Sequence, residues 1–171
     1  DLTRPFDQVR YIKLGSGSAS KDKACIEDGI AYIGFGTSDE NFYKAACDGD
    51  WELFRELYFM HETDGAPQSR KQNATKATNQ VRSFFESNDR TLWITFYAGK
   101  LYYGCLSGDH RPAIKAEWGG CIRALVGGWS DSDSSGVPLR VENLSGNLTK
   151  VRGFQGCLLY TSDAADDSLR V

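Results

Sequence analysis

The sequence has little of what metal-dependent or membrane proteins need. It contains two histidines and no Cys-x-x-Cys pair, and His61 lacks the second histidine of a His-Glu-x-x-His zinc motif. No stretch of about 18 apolar residues is present, which argues against a transmembrane helix. No signal-peptide pattern is visible either, so we expect a cytoplasmic protein with no membrane partner.

Patterns typical of catalytic centres are also missing. A carboxylate pair followed by Glu-x-Lys, typical of metal-dependent nucleases, does not occur, and the segment 114–117 has the wrong order. The glycine-rich segment 15–18 follows a strand and precedes a helix, as a phosphate-binding loop does. A kinase would also need a strand lysine, an His-Arg-Asp loop and an Asp-Phe-Gly motif, and none is present. We favour a flexible turn over a nucleotide loop here, and we predict no catalytic residue, metal site or cofactor.

The final fifteen residues, Cys157 to Val171, have the sequence of translated sequencing adapter. Their letters, CLLYTSDAADDSLRV, back-translate into codons that match the transposon end used in tagmentation libraries. We therefore expect natural sequence only up to Gly156, in a fragment read from a metagenomic library. Because the tail holds three acids and one base, 19 basic and 20 acidic side chains remain in residues 1–156. A net charge of about −1 predicts no general attraction to nucleic acid, so any binding must come from a local patch.

Four cysteines lie in this natural part, at positions 25, 47, 105 and 121. They are scattered among apolar neighbours. Paired disulfides are one interpretation, but we favour reduced, mostly buried thiols of a cytosolic protein.

Hydrophobic patterning predicts a single α+β domain over residues 1–156. Alternating apolar residues predict strands at 9–14, 30–35, 91–97, 101–106, 122–126 and 148–154, with a hairpin turn at 98–100. Apolar residues at helical spacing predict helices at 20–28, 40–47, 51–61 and 69–86, with a short helix at 139–144. We expect a curved, mostly antiparallel sheet or a small partly open barrel with a helical insertion.

Aromatic residues form the most distinctive candidate site. Trp93 and Tyr97 share one face of the first hairpin strand, whereas Tyr102 and Tyr103 point to opposite faces, so one of them joins that pair. Such rings can stack a flipped or single-stranded base, at about 1–3 kcal/mol per base. The alternative is that they fill a second small core. Two more large rings lie in glycine-flanked loops and suit either a packing lid or a ligand wall: Trp118 and Trp129.

Basic residues close to the rings would favour the interpretation that the rings stack nucleic-acid bases. Lys71 and Arg82 lie on a common flank of the longest predicted helix, with Thr75 and Thr78. Lys150 and Arg152 lie in the last predicted strand. Each is also typical of solvated surface, so only convergence on the aromatic face would make them phosphate contacts.

Five stretches in three regions of the chain resemble a group of bacterial proteins. They are YIKLGSGS, CIEDG and GFG near the start, NQVRSFFESNDRTLWITFYAGKLYYG in the middle, and LSGNLTKVRGFQG before the tail. In that group a domain of this kind precedes an Mrr-like, PD-(D/E)xK-type restriction endonuclease domain. The resemblance implies DNA as partner and a C-terminal nuclease domain in the intact protein.

The order of helix, Asn88-Asp89 turn, strand and hairpin is also similar to PUA-like domains, including the EVE group, which bind modified bases in aromatic pockets. This likeness implies that Trp93 and one of Tyr102 or Tyr103 lie near a pocket. The chain departs from it at Asn88-Asp89, where a compact Gly-Asp is expected, and in its large helical block. The sequence thus predicts a DNA-recognition module of a restriction or defence protein, with a protein-interaction or scaffolding domain as the alternative.

Overall fold

A computed structural model of the chain describes residues 6–15, 20–108 and 111–144, together with the backbone of 157–159. The chain forms two compact units. The first comprises residues 1–31, 88–108 and 124–171, and the second comprises residues 32–87 and 109–123.

The elements follow one another as strands around a helical block. They are β1 (Gln8–Tyr11), α1 (Asp22–Asp28), β2 (Ile30–Ile33), α2 (Glu40–Asp48), α3 (Trp51–His61), α4 (Pro67–Glu86), β3 (Thr91–Tyr97), β4 (Lys100–Gly104), β5 (Ala113–Lys115), β6 (Gly120–Ala124) and β7 (Cys157–Leu159). Short 3-10 helices span Ala116–Trp118 and Val141–Asn143. The mixed helix and strand content confirms the predicted α+β class, with α2 to α4 as the helical block.

A four-stranded sheet in the order β4-β3-β1-β7 organises the first unit. β1 runs parallel to β3, with Gln8 opposite Thr91, whereas β3–β4 and β1–β7 are antiparallel. One face carries a core cluster of Tyr11, Leu92, Ile94, Phe96 and Leu101. β7 lies within the segment that the sequence attributes to adapter.

The β3–β4 hairpin forms where the sequence predicts it. The turn residues Ala98 and Gly99 both have positive φ, 49° and 75°. Two consecutive residues of positive φ are typical of the tight turns whose twist matches a hairpin. Gly99 adopts this conformation without strain, whereas Ala98 has a Cβ that disfavours it.

Helices α2, α3 and α4 organise the second unit. Asp39 and Asp50 cap the first two: a side-chain oxygen of Asp39 accepts from the N–H of Asn41 at 2.9 Å, and one of Asp50 accepts from Leu53 at 3.0 Å. Apolar residues at helical spacing predicted α4, and four of them are buried: Ala74, Ala77, Val81 and Phe84. Phe85 is half-buried.

A smaller sheet has the order β2-β6-β5. Gly120 begins β6 where β2 approaches closely, because a Cβ at position 120 would lie 2.1 Å from the Ile33 carbonyl oxygen. Arg123 on the same strand is 5% exposed. One Nη of Arg123 donates to the carbonyls of Phe84 and Ser87 at 2.7 and 3.0 Å, which satisfies acceptors at the C-terminal end of α4.

Neither sheet closes into a barrel within the described residues. The predicted strand at 9–14 ends at Tyr11, and the predicted short helix at 139–144 is the 3-10 turn Val141–Asn143. The strand predicted at 148–154 lies outside the described residues. In the described part of the chain, no helix has the length and apolar character required to cross a bilayer.

Candidate functional site

The face of the β3–β4 hairpin opposite the core cluster carries part of the predicted aromatic site. In the antiparallel register Thr95 lies opposite Tyr102 and Tyr97 opposite Lys100, so the side chains of both pairs share one face. The rings of Tyr97 and Tyr102 are diagonal neighbours, with centroids 6.4 Å apart and planes tilted by 46°. Both tyrosines are half-buried, so part of each is open to solvent.

Two cations lie beside these rings. Arg140 pairs with Lys100 across an antiparallel bridge, which puts both side chains on the tyrosine face. Lys100 Nζ also binds Asp131 at 2.6 Å, and this hydrogen bond raises the pKa of Lys100 and lowers that of Asp131. We call Tyr97, Lys100, Tyr102 and Arg140 the hairpin surface.

Three other predicted aromatic residues do not join this surface. Trp93 is 2% exposed, so its ring presents no face on which a base could stack. Tyr103 lies on the core side of the sheet, and its hydroxyl donates to the Ser132 carbonyl at 2.6 Å. Trp129 is half-buried, and its indole N–H donates to the Ile30 carbonyl at 2.8 Å, which fixes the ring against the backbone. Of the two adjacent tyrosines, it is therefore Tyr102 that shares the face of Tyr97.

The predicted basic residues lie elsewhere. Lys71 and Arg82 are exposed on α4, in the second unit rather than the unit that holds the hairpin. Thr78, predicted on the same flank, is instead 6% exposed, and its hydroxyl donates to the Ala74 carbonyl at 2.7 Å. Lys150 and Arg152 lie outside the described residues.

The second unit contains a pocket that sequence patterns did not indicate. Its volume is about 240 Å³, and its walls come from the α2–α3 turn, the end of α4 and the segment before β5. We call it the helical pocket. The lining side chains that could bind a ligand are Cys47, Trp51, Phe85, Glu86, Arg111 and Pro112.

Aromatic packing and hydrogen bonds hold the ring wall of this pocket. The rings of Trp51 and Phe85 meet edge to face, with centroids 6.2 Å apart and planes at 78°. The Trp51 indole N–H donates to Oε1 of Glu86 at 2.9 Å, and Arg82 Nε donates to Oε2 at 2.9 Å. Both oxygens of Glu86 are therefore engaged, and the indole ring is held in one orientation.

The charges that line the helical pocket are unequally compensated. Glu86 is bound by Arg82, and Asp48 by Lys44. Arg111 is exposed, and among the described residues no carboxylate lies within ion-pair distance of its guanidinium. Of the charges that line the pocket, Arg111 is therefore the one that no described carboxylate engages.

Tyr43 lies beside the same pocket. Its hydroxyl donates to the Pro112 carbonyl at 2.8 Å, and its ring meets Phe85 edge to face at 6.2 Å. Burial first, and then the hydrogen bond with Cys47, raise the pKa of Tyr43 to about 12, while the nearby charge of Arg111 opposes that shift. Tyr43 is thus an uncharged neighbour of the pocket at neutral pH.

A metal site, a reactive thiol and a phosphate-binding loop are the other kinds of functional site to consider in the described residues. No group of three potential metal ligands occurs among those residues. Cys25, Cys47, Cys105 and Cys121 are free thiols, of which Cys25 and Cys121 are buried and the other two half-buried. Of the glycine-rich segment 15–18, only Gly15 lies within the described residues.

Comparisons of the chain with protein-family models, with curated proteins and with solved structures found no match. The resemblance to nuclease-associated and PUA-like domains therefore stays a prediction. Sequence patterns also gave no signal for Arg140 or Arg111, because only the fold places Arg140 on the tyrosine face and Arg111 in the helical pocket.

Proposed function

We propose that this chain is a DNA-recognition module of a restriction or defence protein, which reads modified or foreign DNA and whose nuclease domain lies outside the chain. The hairpin surface is the observation that carries the proposal. It joins two partly open tyrosine rings to two cations on one face of a sheet. The resemblance described above supplies the nuclease partner and the PUA-like class, and no described contact bears on either.

The chemistry of the hairpin surface suits a nucleic-acid strand. Rings accept bases by stacking, which tolerates any base, while the lysine and arginine bind phosphate oxygens. Lys100 already pairs with Asp131, so a phosphate would exchange for that carboxylate. Two phosphate contacts on duplex DNA would give a slope of about −2 for the logarithm of the binding constant against the logarithm of salt concentration.

Fluorescence anisotropy with labelled plain, 5-methylcytosine and 5-hydroxymethylcytosine duplexes tests the proposal. We expect salt-sensitive binding to at least one of them, with a slope near the value above. If none of the duplexes binds at about 50 mM salt, or if binding ignores salt, the chain is not a DNA-recognition module.

Variants of the hairpin surface distinguish the contribution of the tyrosine rings to DNA binding from that of the charged residues. Replacing Tyr97 and Tyr102 together by leucine should weaken binding about tenfold to a hundredfold, whereas phenylalanine at both positions should leave it nearly unchanged, because the rings persist. Arg140→Gln should reduce the salt slope by about one. Arg55→Gln is the matched control, since Arg55 pairs with Glu52 on α3, in the other unit.

The two predicted contacts on α4 are tested in the same assay. Lys71→Gln and Arg82→Gln should each lower the salt slope by about one if α4 also touches phosphates. An unchanged slope in both variants would confine DNA contact to the hairpin surface.

A protein-interaction domain is the second candidate, and α3 provides the observation in its favour. Leu53 and Met60 lie two turns apart on that helix and are 42% and 64% exposed. An apolar stripe on an exposed helix face is typical of a protein contact. Absence of DNA binding, together with concentration-dependent self-association that Leu53→Ser and Met60→Ser abolish, would favour this candidate.

A further inference from the structure

We propose that the helical pocket binds a small acid, namely one aromatic or heteroaromatic ring linked to a carboxylate or phosphate. The pocket lies within the second unit and shares no residue with the hairpin surface. The proposal therefore does not depend on the DNA-recognition function.

The volume of the helical pocket limits the ligand to about one ring. A dry cavity of about 150 Å³ accommodates benzene, and drug-sized ligands need about 300 Å³ or more. At about 240 Å³ the helical pocket suits one ring with one polar group, and it is too small to enclose a dinucleotide cofactor. Trp51, Phe85 and Pro112 supply the apolar and aromatic walls that a flat ring needs.

The charged residues that line the helical pocket favour an anionic ligand. Two carboxylates, Asp48 and Glu86, line the pocket, but each is bound by a cation, Lys44 and Arg82 respectively. Arg111 is the lining charge that no described carboxylate engages. A guanidinium binds carboxylate or phosphate through two parallel N–H donors, so an anionic group on the ring would lie against Arg111.

The fixed geometry of the walls favours binding as well. Trp51 is held by its hydrogen bond to Glu86 and by its edge-to-face contact with Phe85. A preformed wall loses little freedom when a ligand arrives, so even a small acid can bind measurably. We expect dissociation constants of about 1 mM for a single-ring acid.

Four probes test the proposal on the chain as it exists, by following the indole N–H signals in ¹⁵N–¹H correlation spectra. Benzoate and 2′-deoxycytidine monophosphate are the acids, while benzamide and deoxycytidine are their uncharged counterparts. Saturable shifts of the Trp51 signal, identified by its absence in Trp51→Phe, are expected for at least one acid and not for its uncharged counterpart. The Trp129 signal is the internal reference, because that indole N–H binds the Ile30 carbonyl in the first unit.

The two acids also distinguish two sources of the same chemistry. Binding of benzoate alone indicates a free aromatic acid, and binding of the nucleotide alone indicates a nucleotide or a nucleotide of DNA. Either result supports the proposal. If neither acid shifts the Trp51 signal, or if benzamide binds as tightly as benzoate, the proposal is wrong. A fifth probe, the cation benzylamine, would also overturn the proposal if it bound in preference to benzoate, because Glu86 or Asp48 would then be the recognising charge.

Variants assign the anion contact to its residue. Arg111→Gln should weaken acid binding about tenfold to a hundredfold, and Arg111→Lys should restore part of it. Arg55→Gln removes the same charge from the outer side of α3 and should leave binding unchanged. Circular dichroism and the Trp129 signal show that each variant is folded. If a folded Arg111→Gln protein binds the acid as well as the unaltered chain does, the guanidinium is not the contact and the proposal fails.

Discussion

Gly120 is the position at which a single methyl group should most clearly disrupt the second unit. A Cβ built there lies 2.1 Å from the Ile33 carbonyl oxygen, 2.7 Å from Tyr32 Cε2 and 3.0 Å from Gly34 Cα. Ordinary contact begins at 3.4 Å, so β6 and β2 would have to separate by about 1.3 Å. The nearest obstacles include backbone atoms of β2 and of the residue after it, which cannot rotate away as the end of a long side chain can.

The loss of stability in Gly120→Ala has two sources, namely overpacking and the hydrogen bonds that break when β6 and β2 separate. Overpacking in a tight interior costs about 1–3 kcal/mol, and a buried backbone group that loses its partner costs a similar amount. We therefore expect Gly120→Ala to lower the free energy of unfolding by about 3 kcal/mol. For a chain of this length that corresponds to a fall of about 6–12 °C in the melting temperature.

Urea denaturation followed by circular dichroism measures the effect, and two other glycines provide matched controls. Gly119→Ala has nothing within 4 Å but has φ of 72°, so it should cost only about 1 kcal/mol from backbone strain. Gly108→Ala has open space around it and no positive φ, so its effect should lie within about 1 kcal/mol of zero. If Gly120→Ala destabilises the protein no more than Gly119→Ala does, the close approach of β2 and β6 is wrong.

Three further predictions follow from local geometry. Ala98→Asn should stabilise the chain by about 0.5–1 kcal/mol, because asparagine accepts positive φ more readily than alanine; an unchanged urea midpoint would contradict the turn geometry. Arg123→Met should cost about 2–4 kcal/mol by leaving the Phe84 and Ser87 carbonyls without their donor, and Arg123→Lys should recover part of that loss in the same assay. The pKa of Tyr43 is raised to about 12 from 10, so stability should be complete below pH 10 and fall as the pH rises to 12, where the unfolded chain releases this proton more readily. Denaturation curves between pH 10 and pH 12 should show a smaller fall in the free energy of unfolding for Tyr43→Phe than for the unaltered chain. Equal falls would show that Tyr43 is not the group responsible.

Local patterns predicted the helices and the hairpin well. The helix at 51–61 has the predicted bounds, and α1 ends at residue 28 as predicted, with Gly29 after it in the left-handed conformation. α4 begins two residues earlier than predicted, because Pro67 occupies its first turn, where a missing N–H costs nothing. These features depend on neighbours within about four residues, and the sequence displays those neighbours directly.

The candidate site was only partly predictable. Alternation along β3 correctly placed Trp93 and Tyr97 on one face, but it could not show that Trp93 is covered while Tyr97 stays partly open. Whether a sheet face is covered depends on elements that are distant in sequence. The parallel pairing of β1 with β3 also depends on elements distant in sequence, since 83 positions separate Gln8 from Thr91, and it was not predicted.

The sequence by itself determined the α+β class, most element positions, the tight hairpin turn and the division of hairpin residues between two faces. Short-range spacing and turn chemistry suffice for these, because each follows from the geometry of a few consecutive residues. The tertiary structure alone decided which rings remain open and which charges lie beside them. The bridge to Lys100 places Arg140 on the tyrosine face, and the packing of three segments places Arg111 in the same pocket as Trp51 and Phe85. The spacing of residues within one segment does not predict that these side chains lie together, because the burial of apolar surface from distant segments brings the segments together.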